Sequence, residues 1–128
     1  MHKRIAVIGS RDYKHLQDVV DYIYSLPPNT TIVSGGARGV DKTAENVAIQ
    51  RGLLVDIYKA DWDKLGKQAG FLRNVDIVKN CEEVVAFWDG MSRGTLHTIN
   101  LTKKYHVPLI VYTEIHRYND GPTLDFRK

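Results

Sequence analysis

A chain of 128 residues fits one domain and leaves little room for a second. Its hydrophobic fraction of 43% supports a packed core and argues against global disorder, and no apolar run approaches the length that spans a bilayer. The net charge of +3 suits a small anionic ligand and does not by itself call for nucleic acid, and the single cysteine, Cys81, excludes an internal disulfide. Charged residues lead straight into a strand where a signal peptide would stand, so a cytoplasmic protein with no membrane contact is expected. In chain order, Ile5-Ala6-Val7-Ile8 is a short apolar run ending at Gly9 and reads as a buried parallel strand. Asp12 to Leu26 reads as a helix, with Leu16, Val19, Val20 and Ile23 at helical spacing and Pro27-Pro28 as the stop. Thr31-Ile32-Val33 is the second strand. Asp41 to Arg51 is the second helix, with Ala44, Val47 and Ala48 on one face and Gly52 as its C-terminal cap. Leu53 to Tyr58 is the third strand, and Lys59 to Leu65 a polar loop.

Gly66 to Asn80 follows as a helix with Phe71, Val75 and Val78 inward. Glu83 to Trp88 is the fourth strand, Thr95 to Tyr105 the fourth helix, and Pro108 to Tyr112 the fifth strand. Regular β-α alternation implies an α/β domain of Rossmann-like type over residues 1–112: three layers, a mainly parallel sheet of about five strands, and right-handed crossovers. Residues 113–128 are polar and aperiodic, and read as a loosely attached tail or a subunit contact.

In open α/β sheets, ligands bind beyond the carboxyl ends of the strands. The informative residues all fall there: Gly9-Ser10-Arg11; Ser34-Gly35-Gly36-Ala37-Arg38-Gly39 with Asp41; and Trp88-Asp89-Gly90 with Ser92-Arg93-Gly94-Thr95. Arg73-Asn74 joins them from the helix after the third strand. Glycines let the backbone approach a ligand, and loop N–H groups with a helix N-terminus then face a phosphate or carboxylate. Ser10, Ser34, Ser92 and Thr95 add hydroxyls. Arg11, Arg38, Arg73 and Arg93 each lie in one of these segments, and guanidinium suits bidentate phosphate binding. Asp41 serves either as a helix cap or as a ribose contact, Asp89 as an acceptor for a hydroxyl, and Trp88 either as core or as a platform for a base. Asp61-Trp62 reads as a lid or as a packed corner, and His97 as a packing histidine before a general base. Metal-ligand spacing and a GxxxxGK[ST] loop are both absent, so no metal, no cofactor and no Walker-type ATPase is expected.

Gly9-Ser10-Arg11, Ser34 to Asp41, Ala60-Asp61-Trp62, Ala69-Gly70 to Arg73-Asn74, and Ala86 to Gly90 with Ser92 to Thr95 together resemble the SLOG superfamily, nearest its short YspA/YpsA-related branch. The resemblance runs from Ile5 to Val111 and implies a Rossmann-like domain that binds nucleotides or nucleotide-derived molecules such as NAD- or ADP-ribose-like ligands. It also implies a homodimer or higher homo-oligomer, with the contact expected here around the helices that carry Val47 and Phe71. Among the relatives, the Lonely Guy phosphoribohydrolases carry a PGGxGTxxE motif whose Glu is catalytic. Gly94-Thr95 matches its Gly-Thr pair, Arg73 matches another important arginine, and the Glu position falls on Thr98. Threonine is no acid or base at neutral pH, so no catalytic residue is assigned and a sensor or sequestering domain is the leading expectation. The alternative is a nucleotide N-glycosidic hydrolase in which Asp41, Glu45 or Asp89 replaces the Glu. Binding of single-stranded nucleic acid, in the manner of the related DNA-processing proteins, ranks third because no basic-aromatic ladder is present.

Overall fold

Four apolar runs rich in β-branched residues and a shorter fifth form one sheet. Two helices cover each of its faces, so the inner strands are hydrophobic on both sides. A computed structural model describes residues 3–114. The strands are β1 (Lys3–Gly9), β2 (Thr30–Ser34), β3 (Leu54–Ile57), β4 (Glu83–Trp88) and β5 (Leu109–Thr113). The helices are α1 (Leu16–Tyr24), α2 (Val40–Gln50), α3 (Trp62–Leu65), α4 (Gln68–Lys79) and α5 (Arg93–Tyr105). All pairings are parallel and the strand order is β3-β2-β1-β4-β5. This is the expected Rossmann-like α/β fold.

Alternation along β1 divides the core in two. Ile5 and Val7 face Val19 and Ile23 of α1 and Ala44 and Val47 of α2. Ala6 and Ile8 face Ile77 and Val78 of α4 and Ile99 of α5. Phe87 anchors the first half, its ring stacked on Tyr112 at 5.0 Å and edge-on to Tyr13 at 5.8 Å.

Several boundaries differ from the sequence expectation. The first helix starts at Leu16, four residues later than expected, because Tyr13 is buried against Phe87 and its N–H turns back to the Ser10 carbonyl. The segment expected as a loop before residue 66 contains α3, capped by Asp61, whose carboxylate accepts the Lys64 N–H at 3.2 Å. Gly66, at φ +59, then separates it from α4. Phe71 does not point inward but is 56% exposed. The buried stripe of α4 is Ala69, Asn74, Ile77 and Val78, and a polar Asn inside it misleads a hydropathy pattern. Val47 is buried beneath α2 on one face of the sheet while Phe71 stands on the other, so the two cannot share one dimer face. β5 runs through Thr113, and the rest of the expected tail, from residue 115 on, lies outside the described residues. Among the described residues, no helix is long and apolar enough to cross a membrane.

Candidate functional site

The strand order reverses direction between β1 and β4, and the crevice at such a switch point is where this architecture binds ligands. A cavity of about 780 Å³ opens there. Gly9 at the end of β1 with Arg11 beyond it, Ala37 before α2 and Asp41 in its first turn, Arg73 and Asn74 of α4, and Asp89, Ser92, Gly94 and Thr95 after β4 all lie on its wall.

Short-range chemistry holds the wall together. Gly9 pairs with Phe87 in register, and a Cβ at Gly9 would lie 2.4 Å from the Phe87 carbonyl oxygen and 2.8 Å from Val40. Only glycine lets β1, β4 and α2 approach this closely. Ser10 then joins the two strand ends: its N–H donates to the Phe87 carbonyl at 3.0 Å and its hydroxyl accepts the Asp89 N–H at 3.0 Å. Gly39 closes the next loop at φ +79, with the Arg11 carbonyl oxygen 2.4 Å from where a Cβ would be.

Asp41 lies just inside α2, whose cap position is Gly39, so it is not the helix cap. Its two carboxyl oxygens accept the N–H groups of Gly9 and Ala37, each at 3.3 Å, and so tie the first two loops together. Burial pushes this carboxyl up to about 7, against those N–H donors and Arg73, with Glu45 adding to the rise. Arg73 crosses from the opposite layer. Its Nη1 donates to the Gly35 carbonyl at 2.6 Å and its Nε to the Asn74 side-chain oxygen at 3.0 Å. Nη2 has no hydrogen-bond partner among the described residues. Burial lowers the Arg73 pKa, Asp41 opposes that, and Arg11 adds to it.

The third loop is ordered by Asp89, whose Oδ1 accepts the N–H groups of Met91 and Ser92, both at 2.8 Å. Burial raises its pKa, but these donors and the Ser10 hydroxyl outweigh burial and hold it below the usual range. Ser92 caps α5 by accepting the Thr95 N–H at 3.3 Å. The 13-residue α5 therefore presents its positive end to the cavity at Ser92, Gly94 and Thr95. Thr98 lies one turn further on the same wall, its hydroxyl donating to the Gly94 carbonyl at 3.2 Å.

Other expected site residues stand behind the wall or away from it. Ser34 is fully buried and donates to the Glu45 carboxylate at 2.5 Å, so it serves the core of the loop. Gly35 and Gly36 form the backbone beneath Arg73 and Ile57, and Gly90 is a turn residue at φ +84. Trp88 does not line the cavity: its indole N–H donates to the Ser92 carbonyl at 3.1 Å and its ring packs into the second core. Arg38 has a side chain 71% exposed and pairs with Asp12 at 3.4 Å, and Arg93 is exposed at the first turn of α5. The four arginines thus divide, with Arg11 and Arg73 on the wall and Arg38 and Arg93 off it. Asp12, Lys14 and Glu114 also line the cavity, and the Lys14 N–H donates to the Glu114 carboxylate. The sequence reading missed them because it placed the first two inside a helix and the third in a tail. Lys14 follows Arg11 by three residues, which is the one signal for it. Cys81 is half-buried and burial pushes its thiol up to about 11, which disfavours a nucleophilic thiolate. No group of three or more His, Cys, Asp or Glu side chains among the described residues could hold a metal.

A model of the YspA, cpYpsA-related SLOG family matches residues 3–65. The Gene 61 protein of Mycobacterium phage D29 is 36% identical over 118 residues, which span 84% of this chain and 94% of that protein. The chain belongs to the YspA-related SLOG family. The matched segment holds the first two loops of the cavity and Asp41. Among solved structures, the chain superimposes on DNA processing protein A from Streptococcus pneumoniae with a TM-score of 0.74 and 22% identity, over 88% of this chain and 50% of that one. It also superimposes on DNA processing protein A from Helicobacter pylori, a single-stranded DNA binder, with a TM-score of 0.66 and 24% identity, over 85% and 64%. At these identities the likeness shows the shared SLOG fold, and this chain spans half to two thirds of their length.

Proposed function

We propose that the cavity binds a phosphate-bearing nucleotide or nucleotide-derived small molecule, of the NAD or ADP-ribose type, and that the protein acts as a cytoplasmic sensor or sequestering domain. One observation carries the reading: Arg73, Arg11 and the N-terminus of α5 meet around one cavity at the switch point, while the Asp89 carboxylate there is spent on backbone N–H groups. Family membership supports it. The test is calorimetric titration with ADP-ribose, NAD and common nucleotides. Arg73→Ala weakens binding by about 1.5–3 kcal/mol, the size of a hydrogen bond to a charged group. Arg38→Ala, at an exposed site off the wall, leaves affinity within about 0.5 kcal/mol. Equal effects of the two changes, or none from Arg73→Ala, would sink the assignment.

A second reading, nucleotide N-glycosidic hydrolysis, is favoured by one feature. Asp41 is a wall carboxyl pushed up to about 7, the range in which a general acid or base works best. Glu45 and Asp89 do not compete for that role, the first bonded behind the wall to Ser34 and Lys42 and the second held low. Chromatography of free base after incubation with nucleoside monophosphates separates the readings. Release that is lost in Asp41→Asn would establish the hydrolase. Single-stranded nucleic acid ranks below both, since Trp88 is committed to the core, and it predicts a steep salt dependence of oligonucleotide binding. We also infer a homodimer through the α3–α4 side, where Trp62, Leu65, Phe71 and Leu72 are exposed.

A further inference from the structure

His97 lies on α5, off the cavity wall, yet hydrogen bonds connect it to Arg73. The Arg73 Nε donates to the Asn74 side-chain oxygen at 3.0 Å, and a donor there requires that atom to be the oxygen. The other end of the same amide is therefore NH₂, and it meets the His97 Nδ1 at 3.1 Å. An NH₂ group only donates, so Nδ1 must accept, which makes His97 neutral with its proton on Nε2. Asn74 is buried, and the Phe71 ring lies against the imidazole, centroids 4.6 Å apart, so the amide takes its orientation from Arg73 and His97 rather than from water.

We infer that His97 is a positioning residue for Arg73, acting through Asn74: its unprotonated Nδ1 holds the amide in the one orientation that offers oxygen to the Arg73 guanidinium. This rests on the reading of the cavity as an anion site. A proton on Nδ1 would face the amide with a second donor. The amide then turns its oxygen to His97 and its NH₂ to Arg73 Nε–H, two donors in contact, and Arg73 keeps only its bond to Gly35. Ligand affinity thereby becomes tied to the protonation of a residue that does not touch the ligand. The groups around His97 are consistent with this control. The α4 side supplies Phe71 and Asn74, which do not titrate, with Arg73 beyond, and Arg93 is one turn earlier on α5. Burial lowers the imidazole pKa, so the neutral form prevails at neutral pH.

The experiment uses the full chain and has two arms. In the unliganded protein, ring ¹⁵N spectra should show neutral His97 protonated on Nε2. The Arg73 Nε–H resonance should titrate with the His97 midpoint between about pH 8 and about pH 5, and stop doing so in His97→Gln, which keeps an acceptor but does not titrate. In the second arm, ADP-ribose affinity is measured across the same range, because its phosphodiester charges do not titrate there. The ratio of wild-type to His97→Gln affinity removes the contribution of Asp41 and should fall about tenfold as His97 protonates. A neutral His97 protonated on Nδ1, an Arg73 signal that titrates alike in both proteins, or an affinity ratio that stays constant overturns the inference. Absence of ADP-ribose binding at every pH counts instead against the ligand assignment, and the Arg73 titration then decides the relay on its own.

Discussion

Asp41 should make the protein less stable as pH rises. Its carboxyl is 5% exposed and pushed up to about 7, against an unfolded value near 3.8. Between those two values the folded state binds the proton and the unfolded chain does not. The stabilising contribution is therefore complete below pH 3.8, declines as pH rises, and is gone above about 7. Three units at about 1.4 kcal/mol each give about 4 kcal/mol across the window. Asp41→Asn removes the titration but turns an amide nitrogen toward one of the two N–H donors now satisfied by the carboxyl, Gly9 or Ala37. That unsatisfied donor costs about 1–2 kcal/mol at every pH. The variant should thus be the less stable protein at about pH 4, match the wild type near pH 5, and be the more stable by about 2–3 kcal/mol at about pH 8. Urea unfolding followed by tryptophan fluorescence at intervals across this range gives the difference curve, in which groups common to both proteins cancel. Parallel curves would show that the two N–H donors and Arg73 offset burial, and a wild type that gains on the variant as pH rises would show that they outweigh it; either result removes the case for Asp41 as an acid or base.

Gly9→Ala should destabilise by about 1–3 kcal/mol or more, since its Cβ would overlap the Phe87 carbonyl oxygen and Val40, both parts of packed backbone or core; an unchanged urea midpoint would refute the close approach. Light scattering at micromolar concentration should give a dimer mass, and Phe71→Asp, at a position 56% exposed, should shift it to the monomer while the chain stays folded. A monomer at the outset would remove the dimer reading.

Much of the site was legible because loop chemistry is local. Glycine runs after short apolar strands mark backbone that must approach something closely, and Gly9, Ala37, Asp41, Arg73, Ser92 and Thr95 lie on the cavity as their positions suggested. Arg38 and Trp88 show the limit of that signal. Each sits in the right loop, but sequence position does not say which way a side chain leaves the backbone, and neither side chain lines the cavity. Lys14 and Glu114 come together from 100 residues apart, a juxtaposition with no local trace.

What the sequence determined alone was the fold: alternating β-branched runs and helical patterns, each broken by Gly or Pro, allow little but a parallel sheet with helices on both faces, because every such strand needs both sides covered. Tertiary structure decided everything that depends on depth. It made Asn74 a buried link where periodicity had favoured Phe71, and set Arg73 between the Gly35 carbonyl and Asn74. It also raised Asp41 toward neutrality by removing it from water. Periodicity reports which residues share a face, whereas burial and charge proximity arise only when separate elements close over one another.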